Sequence, residues 1–294
     1  MAATEKKTEP APPPVTSGPG TLYVVATPIG NLEDLTLRAI RILREVDLIA
    51  AEDTRHTRKL LSHLGISTPT LSYYREKEQE RSALVIRRLQ QGENVALVSD
   101  AGTPGISDPG SVLVRHAVSA NIRVEPVPGP SALSAALSVA GMVEGAFVFL
   151  GFAPSRRKLR RDLLLSLRPE KRQLVFFEAP HRVDTFLQDS YEILGDREIF
   201  WCRELTKVHE ELTRGTLGRV LEQCKGKRIR GESVLIISGA PPRPEMSDRK
   251  IEELLRACKK SGGKSLKSAV QELTAAHNLP RSRVYSKALE IWQE

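Results

Sequence analysis

Four short loops rich in glycine and proline carry the residues best suited to bind a ligand through the protein backbone. They are Thr27–Asn31, Ser99–Gly110, Val127–Ala132 and Phe177–Arg182, and each follows an apolar run that predicts a β-strand. Glycine and proline shape backbone so that its N–H and C=O groups can approach a ligand closely. Glycine and proline also occur in ordinary turns. Turn formation alone would account for any one of these loops, but it accounts less well for four loops that each follow a strand. Because ligands bind at the carboxyl ends of strands in open α/β sheets, the loops predict one shared crevice.

Common signatures of nucleotide and zinc-protease chemistry are absent from the sequence. The spacing GxGxxG does not occur, and Gly263-Lys264-Ser265 lacks the first glycine of a P-loop because Cys258 occupies that position. His209 has no second histidine at the spacing of a zinc protease. Kinase, dehydrogenase and zinc-protease functions therefore lose their support.

The three cysteines lie far apart in the sequence. Cys202, Cys224 and Cys258 form no CxxC pair and have no histidine at metal-ligand spacing, so we expect a reducing compartment and no metal site. Residues 1–20 lack the apolar centre of a signal peptide and predict a disordered tail. The longest apolar stretches are too short and too interrupted to span a bilayer. We therefore expect a cytoplasmic protein without a membrane segment.

Strand and helix patterns alternate along the first half of the chain. Apolar runs predict strands at Leu22–Ala26, Leu48–Ala51, Val95–Ser99 and Arg123–Val127. Helical spacing predicts a helix after Asp34, followed by helices at His56–Leu64, Leu84–Gln91, Val112–Ser119 and Ser131–Val139. Such alternation is typical of a largely parallel sheet covered by helices. Residues 21–140 thus predict an N-terminal α/β domain.

A second α/β series occupies residues 141–241. Its predicted elements are strands at Phe147–Leu150, Leu174–Phe177, Glu198–Cys202 and Val234–Ser238 and a helix at Val183–Tyr191. The proline-rich stretch 240–244 indicates a linker. Residues 246–294 predict a small helical domain with helices at Asp248–Lys260, Leu266–His277 and Ser282–Trp292. A chain of 294 residues is long enough for at least two hydrophobic cores.

Positive charge is concentrated in two segments of a chain whose formal net charge is +8. Arg156, Arg157, Arg160 and Arg161 lie in one basic run, which indicates either a solvated helix face or a phosphate-binding surface. From Met246 onward, 10 basic and 6 acidic residues give a net charge of +4. Both segments favour a polyanionic partner, although charge alone does not identify one.

Long motifs surround the four loops and occur in a fixed order. They read LYVVATPIGNLEDLTLRA, AEDTRHTRKLL, VSDAGTPGISDPG, VPGPSA, FEAPHR and RELTKVHEELTRG. Together they resemble the ribosomal RNA small subunit methyltransferase I family of the tetrapyrrole methylase superfamily, which methylates a cytidine 2′-hydroxyl in 16S rRNA. The likeness covers Leu22 to about Gly239 and extends into the helical tail. It implies an α/β fold with two tetrapyrrole-methylase-type domains, a cofactor cleft between them and a small C-terminal helical domain.

The resemblance also implies how the cofactor is held. S-adenosylmethionine is expected to lie folded in the cleft, bound largely by main chain. The implied contacts are Pro28, Gly30, Gly102, Thr103, Pro104, Ile106, Ser131, Ala132 and Ala179. Where tetrapyrrole methylases usually carry Gly-Asp-Pro, this chain has Gly102-Thr103-Pro104, with acids at Asp100 and Asp108. This departure makes a corrin or porphyrin substrate less expected.

Methyl transfer to a ribose hydroxyl sets the remaining chemical requirements. The reaction is an in-line displacement that needs alignment and a dry site but no metal. A 2′-hydroxyl is a poor nucleophile at neutral pH, so a positioned base or hydrogen-bond acceptor is useful. The catalytic candidates are Glu178, His181, Glu204 and Lys207, with His209 and Glu210 also available.

Basic side chains are the expected contacts with RNA, because the arginine fork matches phosphate oxygens. Besides the run at 156–161, the candidates are Arg182, Arg203, Arg283 and Lys287. The last two lie in a predicted helix that is similar to the family's helix-turn-helix-like appendage. The resemblance also implies a homodimer that acts on 16S rRNA within an assembled small ribosomal subunit.

Two other functions stay open at the level of sequence. One is a methylase of a small tetrapyrrole or another metabolite, in which the basic segments are incidental. The other is a nonenzymatic RNA-binding protein. Cofactor binding without an RNA footprint would favour the first, and RNA binding without cofactor binding would favour the second.

Overall fold

The computed structural model of the protein describes residues 18–142, 145–227, 229–241, 246–260, 265–277 and 279–293. The described residues up to Ala240 form one compact unit, and those from Pro241 onward form another. The predicted disordered tail at 1–20 lies almost wholly outside the described residues. The predicted domain boundaries near residues 140 and 241 stay predictions.

The strands of the first α/β series form a parallel sheet, as the alternating pattern predicts. The strands are β1 Thr21–Val25, β2 Leu48–Ala51, β3 Thr70–Ser72, β4 Val95–Val98 and β5 Arg123–Val127. Their order is β3-β2-β4-β1-β5, and every pairing is parallel. All residues of β2 and β4 are buried, which explains why these strands read as continuous apolar runs.

Four helices cover the two faces of this sheet, and a fifth follows its last strand. The four are α1 Leu37–Glu45, α2 Thr54–His63, α3 Glu78–Gln90 and α4 Ser111–Ser119, and the fifth is α5 Ala132–Ala140. Ile49 and Ala51 of β2 pack in a core with α1 and α2, whereas Leu48 and Ala50 pack in a core with α3 and α4. Helix α2 begins two residues before its prediction because the Asp53 side chain caps it by accepting the Arg55 N–H.

The second sheet is mixed rather than parallel. Its strands are β6 Phe147–Phe152, β7 Gln173–Glu178, β8 Glu198–Arg203, β9 Glu211–Thr216 and β10 Ser233–Ile237. The order is β6-β7-β10-β8-β9, and β10 pairs antiparallel with both neighbours. Strand β9 was not predicted because it is a largely exposed edge strand without apolar alternation.

Four helices pack on the second sheet. Helices α6 Arg157–Ser166, α7 Val183–Leu194 and α8 Leu217–Cys224 share one core with it. On the other face, Ala136 and Ala140 of α5 pack against Val175, Phe200 and Ile236. Helix α5 therefore follows a loop of the first sheet but covers the second, which brings the loop ends of the two sheets together.

The C-terminal unit consists of helices close to the three predicted ones. They are α9 Asp248–Lys260, α10 Leu266–His277 and α11 Arg281–Gln293. Ile251, Leu255, Val270, Val284 and Ile291 lie in a separate hydrophobic core. Within the described ranges, no helix has the length and apolar character needed to cross a membrane.

Candidate active site

A pocket lies between the two sheets, where loops follow β1, β4 and β5 and where β7 and β8 end beside the start of β10. Its lining comprises Ile29, Glu52, Asp100, Ala101, Gly102, Thr103, Ile106, Ser107, Asp108, Ser131, Ala132, Phe152, Phe177, Glu178, Cys202, Glu204, Leu205, Lys207, Glu232, Ser233 and Val234. Each of the four glycine- and proline-rich loops contributes at least one of these residues. The structure thus brings the four loops to one site.

Hydrogen bonds join the three loops of the first sheet around Gly102. Thr27 and Gly102 exchange two backbone hydrogen bonds of 2.9 Å, and the Thr103 hydroxyl donates to the Pro130 carbonyl at 3.4 Å. Gly102 has a φ of +80°, and a Cβ atom there would lie 3.4 Å from Ile29 Cγ2. A side chain at residue 102 would therefore be strained and would enter the pocket region.

Three carboxyl groups crowd the first-sheet side of the pocket. The Asp53 N–H donates to Asp100 at 3.0 Å, and the Asp100 N–H donates to Glu52 at 3.3 Å. Burial, with the charges of Glu52 and Asp100 close by, raises the pKa of Asp108 from 3.8 to about 7. Burial also raises the pKa of Glu52. Such a cluster favours a ligand that brings positive charge.

Glu178 is a fully buried carboxyl group at the end of β7. It accepts the Ala179 N–H at 3.0 Å, and its Oε1 lies 3.1 Å from Arg182 Nε. Burial raises the pKa of Glu178, an effect that the Ala179 hydrogen bond and the Arg182 charge oppose. Arg182 also donates a hydrogen bond to the Ala153 carbonyl. Its guanidinium thus holds Glu178 and the chain after β6 in place.

An ion pair between Glu204 and Lys207 forms the other side of the pocket, with Lys207 Nζ 2.8 Å from Glu204 Oε1. The same Oε1 accepts the Glu232 N–H at 3.2 Å. The hydrogen bond from Lys207 lowers the pKa of Glu204, so this carboxylate is ionised at neutral pH. Glu204 and Thr206 have φ values of +50° and +65°, which non-glycine residues rarely adopt. Strain of this kind is common in loops that hold functional side chains.

Gly30 contacts this strained loop from the first sheet. A Cβ atom at residue 30 would overlap Lys207 Cγ and would lie 2.9 Å from the Leu205 carbonyl oxygen. The absence of a side chain therefore allows the loop after β1 to pack directly against the Glu204–Lys207 pair.

Ser233 places an unsatisfied hydroxyl group in the pocket lining. The residue is 2% exposed, and its Oγ has no hydrogen-bond partner among the described residues. In the sheet it pairs with Glu178 on one side and Arg203 on the other. Because a buried hydroxyl without a partner is costly, a polar group of a bound molecule would satisfy it.

Comparisons with known proteins identify the family. The sequence profile of the Tetrapyrrole (Corrin/Porphyrin) Methylases matches residues 21–221. A ribosomal RNA small subunit methyltransferase I from Synechocystis sp. is 46% identical over 275 residues, which cover 92% of this chain and 98% of that protein. The chain belongs to the ribosomal RNA small subunit methyltransferase I family. A member from Escherichia coli O157:H7 is 42% identical over 92% of this chain and 95% of its own length.

A solved structure confirms the fold expected of this family. Uroporphyrin-III C-methyl transferase from Thermus thermophilus, complexed with S-adenyl homocysteine, has a TM-score of 0.53 and 23% sequence identity. The likeness covers 74% of this chain and 97% of that one. The family and the tetrapyrrole-methylase fold implied by the sequence are both confirmed.

The cofactor contacts implied by the family divide into two groups in the structure. Gly102, Thr103, Ile106, Ser131 and Ala132 line the pocket. The pocket lining, as far as the chain is described, does not include Pro28, Gly30, Pro104 or Ala179. Pro104 is a buried residue of its loop, and Gly30 faces Lys207 instead. The cofactor roles of all nine residues stay predictions.

The catalytic candidates also separate. Glu178, Glu204 and Lys207 line the pocket, whereas His181 is exposed and lines a different groove. Of the two further candidates, His209 is exposed and Glu210 accepts the Thr206 N–H at 2.7 Å. The structure therefore brings three of the four main candidates together and leaves His181 apart from them.

Arg160, one of the predicted RNA contacts, does not have the surface position that contact with RNA requires. The residue is 4% exposed, and its Nε and Nη2 lie 2.9 and 2.7 Å from Asp189 Oδ2. Arg157 and Arg161 also pair with Asp189, and Arg161 pairs with Glu192 as well. Among the four arginines named in this run, only Arg156 has no ion pair to another described residue. The run serves mainly to attach α6 to α7.

The other predicted RNA contacts are engaged in the protein as well. Arg182 holds Glu178, while Arg203 pairs with Glu211 and lies 5.2 Å from the centre of the Trp201 ring. In the C-terminal unit, both basic residues predicted to contact RNA have an acidic partner. Arg283 pairs with Asp248 at 2.7 Å, and Lys287 pairs with Glu252 at 2.8 Å. Their contact with RNA stays a prediction.

Sequence reasoning missed Glu52, Glu232 and Ser233. Glu52 directly follows the buried strand β2, so its position at a strand end was a usable signal. Ser233 and Glu232 lie at the start of a strand. In a fully parallel sheet, every strand start lies at the edge opposite the strand ends, and therefore away from the site. Only the antiparallel pairing of β10 brings them to the pocket. Within the described ranges, no group of His, Cys, Asp and Glu side chains is arranged to hold a metal ion.

Proposed function

We propose that the chain is an S-adenosylmethionine-dependent methyltransferase that methylates the ribose 2′-hydroxyl of a cytidine in 16S ribosomal RNA. The observation that carries this proposal is the pocket between the sheets, in which the loops around Gly102 face the Glu204–Lys207 pair. The pocket occurs in a chain that shares nearly its whole length with relatives named as ribosomal RNA small subunit methyltransferases.

The residues of the pocket fit S-adenosylmethionine. The cofactor carries a cationic sulfur and an amino group, which suit the carboxyl groups of Glu52, Asp100 and Asp108. Its carboxylate suits the first N–H groups of α5, because Ser131 at this helix start makes no capping hydrogen bond with its side chain. We assign cofactor binding to Gly102, Thr103, Ile106, Ser131 and Ala132, which line the pocket.

The second-sheet side of the pocket orients the acceptor. S-adenosylmethionine, when bound, supplies an electrophilic methyl group attached to a positively charged sulfur. Glu204 accepts a hydrogen bond from the ribose hydroxyl through Oε2, since its Oε1 is engaged by Lys207 and Glu232. The hydroxyl proton becomes strongly acidic as its oxygen is alkylated. A carboxylate of low pKa therefore suffices to receive that proton.

Lys207 acts as a positioning residue in this scheme. Its ammonium group holds Glu204 in the ionised form and fixes the carboxylate on a strained turn. Glu178 contributes by binding Arg182, which organises the loop after β7. Alignment of donor and acceptor accounts for most of the rate, because the displacement itself needs little covalent help from the protein.

We extend the proposal to the cellular setting. The substrate is 16S rRNA within the small ribosomal subunit, so the protein works in the cytoplasm. The C-terminal helices, through Arg283 and Lys287, contribute to substrate docking, and the protein acts as a homodimer. We also propose that the chain is divided into domains at residues 21–140, 141–241 and 246–294.

The decisive experiment combines the purified protein, labelled S-adenosylmethionine and small ribosomal subunits from cells that lack the gene. We expect label in 16S rRNA, at one cytidine ribose that is unmethylated in those cells and methylated in the parent strain. Glu204→Gln should bind the cofactor normally and transfer methyl groups slowly. Cofactor binding without labelled RNA would support a metabolite methylase instead. RNA binding without cofactor binding would support a nonenzymatic RNA-binding protein.

A further inference from the structure

A second groove lies beside the pocket and is formed by the start of α7 and the segment after α8. We call it the Lys227 groove. Its polar lining residues are His181, Asp184, Gln188, Lys225, Lys227 and Arg230, and Gly231 lies at its end towards the pocket. None of them belongs to the pocket lining, so the groove is a separate surface.

The cations of the Lys227 groove are available to a partner. Lys225, Lys227 and Arg230 are exposed. Lys225 pairs with Glu222 at the surface, where such a pair contributes little. The Lys227 and Arg230 side chains form no ion pair with any other described residue. This distinguishes them from the arginines of α6, whose charges are largely taken up by Asp189 and Glu192.

The chain runs directly from the groove into the pocket. Arg230 lies in the groove and Ser233, three positions later, lines the pocket, so at most about 10 Å of chain separates the two. Gly231, with a φ of +79°, is pressed so closely against Glu204 that a Cβ atom would overlap that side chain. Arg203 also donates to the Arg230 carbonyl at 3.5 Å. The groove is thus attached to the residues that face the reacting hydroxyl.

We infer that the Lys227 groove binds backbone phosphates of the RNA strand whose ribose occupies the pocket. This inference rests on the proposed RNA substrate and names the surface that the substrate contacts. Lysine and arginine bind phosphates through charge and forked hydrogen bonds without reading the base. The groove therefore fixes the position of the strand, and the pocket selects the ribose that is methylated.

The test uses the full-length double variant Lys227→Gln/Arg230→Gln. Its matched control is Arg168→Gln/Lys171→Gln, which removes the same charge from two exposed residues near the opposite end of β7. Binding of isolated small ribosomal subunits is measured across a range of salt concentrations, and methyl transfer and cofactor affinity are measured in parallel. The single variant Lys227→Gln provides the same comparison if the double variant melts at a lower temperature than the control.

We expect the groove variant to bind subunits about tenfold more weakly, with the log–log salt slope reduced by about 0.7 for each lost contact to a single strand. KM should rise accordingly, while kcat and cofactor affinity stay within about twofold of wild type. The control should match wild type. Equal behaviour of groove and control variants would overturn the inference. Wild-type protein that binds subunits but transfers no methyl group would overturn the proposed function instead. Comparing the salt slopes of the groove and control variants would still test whether the groove binds RNA.

Discussion

The two sides of the pocket are built by different means. The side from the first sheet consists of glycine-rich backbone loops and a group of acids, all located after parallel strands. The side from the second sheet presents side chains, namely the ion-paired Glu178, Glu204 and Lys207, several apolar groups, and Ser233 at the start of β10 between the ends of β7 and β8. A parallel sheet gathers loops that follow strands at one edge, whereas an antiparallel neighbour adds residues that precede a strand. A backbone-lined side suits a constant cofactor, and a side of adjustable side chains suits the acceptor.

The largest effect is expected from a bulky side chain on the first-sheet side of the pocket, which is lined by backbone; we call it the backbone side. Gly102→Trp should weaken S-adenosylmethionine binding by more than about a hundredfold, because the side chain enters the loop junction while residue 102 keeps a positive φ. Gly195→Trp is the matched control, since Gly195 has a φ of +84° and a Cβ atom there would have no neighbouring atom within 4 Å. Calorimetry measures both affinities. Near-normal affinity of the Gly102 variant would show that the cofactor lies elsewhere.

The sequence allowed prediction of most of the backbone side. The strands of the first sheet are covered on both faces, so they appear as uninterrupted apolar runs, and glycine and proline mark the loops that follow them. A sheet of this kind fixes the end at which those loops meet. The loops could therefore be named from the sequence pattern, whereas the individual positions Gly102, Thr103 and Ser131 came from the resemblance to the family.

The side-chain partners could not be predicted in the same way. Arg160 is buried because Asp189 lies opposite it, 29 residues away in the sequence. The sequence indicated that the basic run is exposed, because its acidic partners lie on another helix, far away in the sequence. Ser233 reaches the pocket only through the antiparallel register of β10, and strand direction leaves no mark in an apolar pattern. Edge strand β9 is largely polar and exposed, so its sequence resembled that of a loop.

A second prediction tests whether the two sides can be separated. Gly30→Val should lower kcat by about thirtyfold and leave cofactor affinity within about threefold of wild type, because misplacing a catalytic group by about 1 Å is costly. The new side chain would overlap Lys207 and crowd the Leu205 carbonyl, and so shift the loop that holds Glu204. Gly30→Ala should have a smaller effect of the same kind. Single-turnover rates and calorimetry measure the two quantities, and a loss confined to cofactor affinity would assign Gly30 to cofactor binding instead.

A third prediction concerns pH and the acidic side of the pocket. Asp108 has a pKa of about 7 in the folded protein, so near neutral pH it is only partly ionised. A cationic cofactor favours the ionised form and releases a proton on binding, so affinity should rise by up to about tenfold from pH 6 to pH 8. Asp108→Asn should flatten this dependence while Glu52 and Asp100 remain. Calorimetry in buffers of different ionisation enthalpy measures the released proton, and a flat wild-type profile would contradict the assignment.

The same carboxyl group affects stability with a defined sign. Its pKa is raised on folding from 3.8 to about 7, so the folded state binds more protons than the unfolded state between these values. The contribution of Asp108 to stability is therefore fully present below pH 3.8 and is lost as the pH rises through about 7. Asp108→Asn should gain stability relative to wild type at pH 8 and lose that advantage towards pH 4. Thermal melts at the two pH values provide the comparison.

The smallest expected effect comes from Ser233, whose hydroxyl is unsatisfied when the pocket holds no ligand. Ser233→Ala should raise the free energy of unfolding by up to about 1 kcal/mol, because it removes a buried hydroxyl that has no partner. It should also lower the affinity for the ligand that the hydroxyl contacts by about two- to tenfold, since one hydrogen bond is lost. Ser190→Ala is the matched control, because Ser190 is also buried without a partner for its hydroxyl in the described structure but lies in α7, outside the pocket lining. Both variants should be stabilised, and only the Ser233 variant should lose affinity. Separate titrations with S-adenosylmethionine and with small ribosomal subunits assign the lost bond to the cofactor or to the acceptor. If both variants bind both ligands as wild type does, Ser233 contacts neither, and the second-sheet side of the pocket acts through Glu204 and Lys207 alone.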